Sequence, residues 1–325
     1  MSNDYLISPV FCLMGPTAVG KTALAYELAN NLPVEIISVD SAMVYREMDL
    51  GTAKPSKAEL ATIPQHLINI LDPVDSYSAA QFCLDTQVLI KAIYQRHKIP
   101  LLVGGAMMYF YALQNGLAKL PATNQSIRIK IIRQAELYGW PVLHQNLAMI
   151  DPEAAAKIHQ HDHLRIQRAL EIYYLTGKAP TSCWSTKQLI GNYQFINFIL
   201  LPAERSWLHM RIAQRFAKML TAGLIDEVEY LMIKWRLSVN SPAMRSVGYS
   251  QIIAYLAGHD NYATMQAKVE AATRQLAKRQ LTWLRRNWQD AQYFISEHPN
   301  LNERLSTIMK KIMHRAVPSK SPGQY

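Results

Sequence analysis

Three apolar segments in the first third of the chain have the pattern of buried β-strands. They lie at residues 10–14, 33–40 and 99–103, and the first leads into a segment with apolar residues at helical spacing. Continuous apolar runs of this length are typical of strands covered on both faces. Strands that alternate with helices predict an α/β fold with a parallel sheet flanked by helices.

Helical patterns replace strand patterns between residues 121 and 187. Asp151 is a candidate N-cap because Pro152 follows at the first helical position. Apolar residues recur at helical spacing in His163–Thr176, and Gly177 ends the pattern. The sequence therefore predicts an all-helical insertion.

Strand and helix patterns return after the insertion. A strand is predicted at residues 195–201, and helices are predicted at 205–220 and 226–235. Sheet formation thus resumes after the insertion. The predicted organisation is a core domain at 1–120 and 191–316, an insertion domain at 121–190 and a disordered tail at 317–325.

The first strand pattern runs directly into Gly-x-x-x-x-Gly-Lys-Thr, which is typical of a phosphate-binding loop. Its glycines let successive backbone N–H groups turn toward one anion, and the following helix adds the positive end of its dipole. Lys21 supplies a point charge, and the Thr22 hydroxyl is a candidate Mg²⁺ ligand. We predict a diphosphate or triphosphate site rather than an ordinary glycine turn. The loop consists of Gly15, Pro16, Thr17, Ala18, Val19, Gly20, Lys21 and Thr22.

The second strand pattern ends in an acid, Asp40. Ligands of parallel α/β sheets bind outside the carboxyl ends of the strands, so Asp40 should face the same crevice as the phosphate-binding loop. From its position alone, a helix N-cap or a Mg²⁺ ligand fits Asp40 equally well. The polar segment at residues 51–55 follows, and its composition favours a substrate loop over a bare connector.

Two predicted helices carry basic residues at helical spacing. Arg211 and Arg215 lie one turn apart and can point at one anion, although a solvated face with acidic partners fits the same spacing. The helix predicted at residues 268–286 is amphipathic and predicts a core-packed helix with a basic ridge. Its apolar stripe holds Val269, Ala272, Leu276, Gln280 and Trp283, and its ridge holds Arg274, Lys278 and Arg285.

Net charge adds a partner to this picture. The chain of 325 residues has 34 Lys or Arg and 24 Asp or Glu, a formal net charge of +10. Half of that excess lies at residues 245–286, with seven basic and two acidic residues. A contact with a phosphate backbone is favoured there over a merely solvated basic face.

Apolar patterning and cysteine content exclude several other classes. The sequence has no apolar run of 18 residues and no signal-peptide pattern, so we expect a cytosolic, cytoplasmic protein with no membrane partner. Cys12, Cys83 and Cys183 are odd in number and widely spaced, which argues against a disulfide framework or a zinc site.

Together these motifs resemble the bacterial tRNA dimethylallyltransferases, also called tRNA isopentenyltransferases, from about residue 10 to residue 290. The resemblance implies a P-loop NTPase-like fold and an enzyme that transfers a dimethylallyl group from dimethylallyl diphosphate. The acceptor would be N6 of the adenosine 3′ to the anticodon, in tRNAs that read codons starting with U, with Mg²⁺ as cofactor. The landmarks are Gly15 to Thr22, Ser38 to Ser41, Gly51 to Pro55, Leu101 to Gly105, Arg165 to Tyr173, Val247 to Tyr249 and Thr273 to Gln280.

The resemblance also implies roles for individual residues. Asp40 would act as general base, the phosphate-binding loop with Arg211 and Arg215 would bind the diphosphate, and Thr22 would bind Mg²⁺. The insertion would close on the anticodon loop of a tRNA whose target base leaves the stack. A monomer is expected. The positions that match tRNA contacts are Asp40, Ser41, Ala42, Met43, Ala106, Arg128, Leu164, Arg165, Ile166, Gln167, Arg168, Arg245, Ser246, Val247, Gly248, Tyr249, Ser250, Lys278, Arg279, Gln280, Leu281, Thr282, Trp283, Leu284 and Arg285.

Two positions depart from the family pattern. Ala106 stands where the family usually has Thr, which removes a hydroxyl beside the reacting groups. Ser250 stands where Arg is usual, which removes one candidate phosphate or base contact.

Two other functions use some of the same motifs. A P-loop kinase for a small molecule or nucleotide needs the same loop and arginines, but Gly104 stands where a Walker B acid would end the third strand. A non-catalytic RNA-binding protein has no evident use for Lys21, Thr22 and Asp40.

Overall fold

A computed structural model describes residues 8–118, 120–184, 187–188 and 193–316. Within these ranges the strands are β1 (Ser8–Met14), β2 (Val34–Val39), β3 (Gln65–His66), β4 (Ile99–Gly104), β5 (Leu117–Ala118), β6 (Lys187–Gln188), β7 (Tyr193–Leu201) and β8 (Gln292–Ile295). The helices are α1 (Lys21–Asn31), α2 (Lys57–Thr62), α3 (Ala79–Gln95), α4 (Met107–Asn115), α5 (Gln125–Tyr138), α6 (Trp140–Ile150), α7 (Pro152–Lys157), α8 (His163–Thr176), α9 (Pro180–Trp184), α10 (Arg205–Thr221), α11 (Leu224–Lys234), α12 (Tyr249–Leu256), α13 (Tyr262–Asn287) and α14 (Leu301–Ala316). The tail predicted at 317–325 lies outside the described residues.

Six strands form one parallel sheet in the order β3-β2-β4-β1-β7-β8. Gly104 at the end of β4 pairs with Met14 at the end of β1 and with Val39 at the end of β2. Three strands therefore end at the same level of the sheet. The parallel sheet confirms the predicted fold class, and this alignment brings the phosphate-binding loop and Asp40 to one edge.

Helices cover both faces of this sheet. The core on one face includes Leu28 of α1, Leu13 of β1 and Leu305 of α14. Leu102 and Ile37 alternate with the residues of that face and are fully buried as well, and α3 packs against β2 and β4. Burial on both faces explains why the strands are continuous apolar runs in the sequence.

A second core forms among the helices that follow β7. It joins α10 to α13 with a segment after β2, and its members include Phe216, Val228 and Met265 together with Val44 and Met48. The segment that follows Asp40 is thus packed on helices from the second half of the chain.

The insertion is a separate compact unit at 112–190, which begins earlier than the boundary predicted at 121. Its core contains Ile131 of α5, Leu147 of α6 and Ile166 of α8. The prediction of an all-helical unit was wrong in one respect, because β5 pairs antiparallel with β6. Asp151 caps α7 as predicted, with Oδ1 accepting from the Ala154 N–H at 2.9 Å.

Helix α13 is longer than the sequence pattern predicted. It begins at Tyr262 rather than at residue 268, because the Asn261 side chain accepts the Thr264 N–H and caps the helix. No helix in the described part of the chain combines the length and apolarity needed to cross a bilayer.

Candidate active site

The phosphate-binding loop joins β1 to α1 by a turn that requires glycine at two positions. Gly20 precedes α1 with φ 103°, a left-handed conformation that favours glycine. A Cβ on Gly15 would lie 2.8 Å from the Leu200 carbonyl oxygen, so the backbone passes close to β7. The two glycines of the motif are therefore required by the shape of the loop.

Lys21 is the first residue of α1, and its side chain folds back over this loop. Its Nζ donates to the carbonyl oxygens of Gly15 at 2.9 Å and Pro16 at 2.7 Å. Burial and the nearby Arg215 guanidinium lower the pKa of Lys21 to about 7, whereas the Asp40 carboxylate acts in the opposite direction. An anion bound in the loop would supply the negative charge that this buried ammonium lacks.

Lys21 and Asp40 line the same cavity, of about 670 Å³. Asp40 follows β2, and its Oδ1 accepts the N–H groups of Ala42 at 2.8 Å and Met43 at 3.2 Å. The carboxylate thus closes a turn, not a helix, while its side chain borders the cavity. The predicted meeting of the loop and Asp40 in one crevice is confirmed.

Arg211 and Arg215 both border this cavity from α10. Arg211 Nε donates to the Ala18 carbonyl oxygen at 2.9 Å, and Arg215 Nη2 donates to the Thr52 carbonyl oxygen at 3.3 Å. Burial lowers the pKa of Arg215, although Asp40 opposes the effect. Within the described ranges neither arginine forms a salt bridge, so the alternative of a helix face paired with acids does not hold.

A second cavity, of about 540 Å³, adjoins the first. Asp40, Thr17 and Gln280 line both cavities, which places Asp40 where the two meet. Much of the second wall comes from residues at the predicted tRNA-contact positions. They are Ser41, Ala42, Ala106, Arg245, Ser246, Val247, Gly248, Arg279, Gln280 and Trp283.

Gln280 of α13 links the two loops that flank Asp40. Its Oε1 accepts the Thr17 N–H at 2.9 Å, and its Nε2 donates to the Gly105 carbonyl oxygen at 2.8 Å. A Cβ on Gly105 would lie 2.5 Å from Gln280 Nε2, and a Cβ on Gly104 would lie 1.9 Å from the Val39 carbonyl oxygen. Backbone and amide therefore approach each other closely here, at two positions that have no side chain.

Comparison with known proteins identifies this arrangement. The family model described as IPP transferase matches residues 43–287, and a model described as isopentenyl transferase matches residues 8–69. The chain belongs to the IPP transferase family. Curated relatives include the tRNA dimethylallyltransferase of Legionella pneumophila (strain Lens), 54% identical over 95% of this chain and 98% of that protein. The tRNA dimethylallyltransferase of Coxiella burnetii (strain Dugway 5J108-111) is 51% identical over 93% of this chain and 97% of its own length.

Solved structures agree with this membership. The tRNA isopentenylpyrophosphate transferase of Bacillus halodurans has a TM-score of 0.70 and 33% identity, and the match covers 95% of this chain and 98% of that chain. A eukaryotic dimethylallyltransferase, solved as it acts on tRNA, has a TM-score of 0.80 and 25% identity over 97% of this chain and 81% of its own. The chain has the P-loop NTPase-like fold of the IPP transferases.

Six of the predicted RNA-contact residues in this IPP transferase are buried. Gly248 and Gln280 line the second cavity, whereas the other four have side chains that pack in the protein interior. Ile166 packs in the core of the insertion, Leu281 and Leu284 lie on the inner face of α13, and Tyr249 is enclosed in the second core. The prediction of direct contact by these side chains is corrected to a packing role. The exposed surface of each of these helices is formed by other residues along it.

Two predicted RNA-contact arginines of the insertion are held by a buried acid. Glu171 is fully buried and binds Arg128 Nε at 3.0 Å and Arg168 Nη1 at 2.6 Å. Burial alone would raise the pKa of Glu171, but the hydrogen bonds from both arginines and from the Asn124 N–H keep it below its ordinary value. Arg128 and Arg168 therefore hold elements of the insertion together. Leu164 and Arg165, by contrast, are exposed.

The apolar stripe predicted for α13 forms cavity wall more than core. Leu276, Gln280 and Trp283 border the second cavity. Val269 is the member of the stripe that also lies in the core, and the other buried apolar residues of the helix are Met265, Ala277, Leu281 and Leu284. The predicted stripe and the buried face are adjacent on the helix. Sequence spacing found the helix but could not separate a wall that faces a cavity from one that faces the core.

Sequence reasoning missed Glu227 of α11 altogether. Its carboxylate accepts the N–H groups of Asp49, Leu50 and Gly51. The polar composition of residues 51–55 predicted the loop. Nothing in the sequence near Glu227 indicated that its side chain binds this loop, because the two lie far apart along the chain.

Proposed function

We propose that this IPP transferase family member transfers a dimethylallyl group from dimethylallyl diphosphate to N6 of the adenosine 3′ to a tRNA anticodon. The observation that carries the proposal is the position of Asp40, which lines both the cavity of the phosphate-binding loop and the cavity beside it. The names of the relatives, tRNA dimethylallyltransferases, support the choice of substrates.

The first cavity suits the diphosphate. Lys21, Arg211 and Arg215 border it. The first turn of α1 lines the same cavity, and the N–H groups of a first helical turn have no partner within the helix. Negative charge develops on the leaving diphosphate as its C–O bond to the allylic carbon breaks. Fixed positive groups beside the leaving oxygen stabilise that charge.

Asp40 is the proposed general base. It takes a proton from the N6 amine as that amine attacks the allylic carbon. Its Oδ1 is held by the Ala42 and Met43 N–H groups, so the carboxylate is fixed before the substrates arrive. An exocyclic adenine amine is a weak nucleophile, and holding it against the allylic carbon lowers the barrier further.

The cavity offers an oxygen donor that suits Mg²⁺. The Thr22 hydroxyl borders it, and Mg²⁺ is typically held by one or two protein oxygens together with phosphate oxygens and water. Among the described residues no three His, Cys, Asp or Glu side chains form a metal-binding group, which suits an ion held mainly by the substrate. Bound there, Mg²⁺ would neutralise charge on the leaving diphosphate.

The acceptor enters from the second cavity. Arg245 and Arg279 provide positive charge in its wall, and Trp283 provides an aromatic face on which an extruded base can stack. Exposed Lys278 and Arg285 extend the basic surface along α13, where phosphate contacts add sequence-independent affinity. A monomeric state and a cytoplasmic location complete the proposal.

The kinase alternative has less support. Strand β4 ends at Gly104, where a Walker B acid would be needed, and the relatives are transferases of the dimethylallyl group by name. A kinase must convert ATP to ADP, so an assay of ATP consumption distinguishes this function from prenyl transfer.

The test incubates the full chain with Mg²⁺, dimethylallyl diphosphate and an unmodified tRNA that carries adenosine 3′ to its anticodon. Prenylated adenosine, detected by mass spectrometry of nucleoside digests, is the expected product. A tRNA with guanosine at that position is the matched control and should give none. ADP formation in a parallel reaction that contains ATP, without prenylated adenosine in the first reaction, would overturn the proposal in favour of a kinase.

A further inference from the structure

Glu227 anchors a loop of the active site to α11. Its Oε2 accepts the N–H groups of Asp49 at 3.1 Å and Leu50 at 2.6 Å, and its Oε1 accepts the Gly51 N–H at 3.2 Å. Hydrogen bonds to an ionised carboxylate are roughly twice as strong as those between neutral groups. Three consecutive peptide groups are thus attached to one side chain.

Tyr249 completes this attachment from α12. Its hydroxyl donates to Glu227 Oε1 at 2.6 Å, and burial together with the Glu227 charge raises its pKa well above the ordinary value, so it remains a donor. A Cβ on Gly51 would lie 2.5 Å from the Tyr249 ring. The ring therefore packs directly on the backbone that Glu227 holds.

The anchored segment is tied internally and leads into the cavity wall. Thr52 Oγ1 donates to the Met48 carbonyl oxygen at 2.7 Å. Lys54 Nζ donates to the Tyr45 carbonyl oxygen at 2.7 Å and to Asp49 Oδ1 at 2.7 Å. These hydrogen bonds connect residues 48–54 to one another. A displacement of the backbone at residue 49 is therefore expected to displace the backbone at residue 52 as well.

Arg215 is hydrogen-bonded to this segment. Its Nη2 donates to the Thr52 carbonyl oxygen at 3.3 Å, and both residues line the cavity of the phosphate-binding loop. A long arginine side chain loses considerable rotational freedom when it binds an anion. A fixed carbonyl acceptor reduces that cost by holding the guanidinium in place beforehand.

We propose that Glu227 and Tyr249 are a positioning pair for diphosphate binding: they hold residues 48–54, and through the Thr52 carbonyl they keep Arg215 in place. The inference rests on the proposed function, because Arg215 is assigned to the diphosphate there. Both residues act through the loop and touch no reacting atom.

Three variants grade the damage to this pair. In Tyr249→Phe the carboxylate and its three backbone bonds remain. Glu227→Gln replaces one of the two carboxylate oxygens with an NH₂ donor. If the remaining oxygen accepts the Asp49 and Leu50 N–H groups, the NH₂ group faces the Gly51 N–H, which then has no acceptor. Glu227→Ala removes all acceptors.

The first measurement is calorimetric binding of inorganic pyrophosphate with Mg²⁺ to the full chain. Because a partly buried donor loses its acceptor and the loop is held less firmly, we predict about tenfold weaker binding for Glu227→Gln, a greater loss for Glu227→Ala and about threefold or less for Tyr249→Phe. The KM for dimethylallyl diphosphate should rise in the same order, with a smaller change in kcat. If melting temperature falls in this order while pyrophosphate affinity stays within about twofold of wild type, the pair is merely structural and the inference is wrong.

A double-mutant cycle locates the effect at Arg215. In an Arg215→Met background, Glu227→Gln should weaken pyrophosphate binding little further, because the group it positions is gone. Fully additive losses would overturn the inference. Glu229→Gln changes an exposed acid on the same helix and should leave binding unchanged.

Failure of the proposed function gives a different result. If wild type forms no prenylated adenosine but pyrophosphate binding still weakens in the predicted order and couples to Arg215, the positioning pair stands and the assigned reaction fails. If wild type forms the product and the variants bind pyrophosphate normally, the reaction stands and the pair fails.

Discussion

The fold uses one of the two carboxylate oxygens of Asp40, and the other is open to the general-base role proposed above. Oδ1 accepts two backbone N–H groups, from Ala42 and Met43, and no described residue donates to Oδ2. The sequence left a capping role and a site role open for this acid. The structure shows a turn cap that uses one oxygen, which leaves the other for a substrate.

Asp40→Asn tests the chemical half of this division. Asparagine keeps an Oδ1 acceptor for the turn but replaces the basic oxygen with an amide donor, so the fold and tRNA affinity should be retained. Loss of one general base typically lowers the rate by 10²–10⁴-fold. Single-turnover prenyl transfer with saturating substrates measures the rate, and turnover equal to wild type would remove Asp40 from the role of base.

Alanine substitutions at Gly104 and Gly105 test how tightly the backbone near Asp40 is packed. Gly104→Ala places a Cβ against the backbone of Val39, so we expect a loss of about 3 kcal/mol or more in the free energy of unfolding. Gly105→Ala meets only the end of the Gln280 side chain. It should change stability less and weaken pyrophosphate binding, because Gln280 then releases the Thr17 N–H. Urea unfolding of both variants checks the order, and equal losses would contradict it.

At the scale of elements, α13 serves two surfaces at once. Gln280 and Trp283 border the cavities, while Lys278 and Arg285 are exposed on another side. Arg274, predicted on the basic ridge, instead pairs with Glu270 at 3.3 Å. The basic surface that remains for RNA is therefore narrower than charge counting along the sequence suggested.

Salt dependence of tRNA binding tests this surface. Lys278→Ala or Arg285→Ala should each reduce the slope of log K against log salt concentration by about one, because one phosphate contact is lost. Lys268→Ala is the control, since Lys268 pairs with Asp260 at 2.5 Å. Filter binding between low and moderate salt gives the slopes. Unchanged slopes in the first two variants would place the RNA elsewhere.

Within the insertion, Glu171 gives a pH-dependent contribution to stability. Its folded pKa lies below the ordinary value despite burial, so its contribution is complete above about pH 4.3, the ordinary value of a glutamate, and is lost as the pH falls through the lowered folded pKa.

Glu171→Gln tests that contribution. At pH 7 we expect a loss of about 1–3 kcal/mol, since the amide cannot accept all the bonds from Arg128, Arg168 and the Asn124 N–H. The difference from wild type should shrink as the pH falls. Glu153→Gln, at an exposed pair with Lys157, should cost about 0.5 kcal/mol or less. Denaturant unfolding from pH 7 to pH 3 measures all three proteins, and a constant difference would contradict the assignment.

Across the whole molecule, local patterns were predicted and distant pairings were not. The phosphate-binding loop, the strand that ends at Asp40 and the cap at Asp151 are each written within a few consecutive residues. Glu227 meets Asp49 from 178 positions away, and neither residue has a local pattern that indicates the other. Burial of Tyr249 and Leu284 was missed for the same reason, since a helical period does not say which neighbour covers each face.

The position of β1 inside the sheet has a consequence for synthesis. Ser8 at its start pairs with Tyr193 of β7. During synthesis, one edge of β1 therefore remains unpaired until the ribosome has translated the insertion and then β7. Until then the nascent chain presents an open apolar strand edge, a place where other chains readily attach. If the insertion folds before β7 is made, the ends of the connection from β1 to β7 lie closer together. The yield of assembled enzyme then depends on a unit that contributes no strand to the six-stranded sheet.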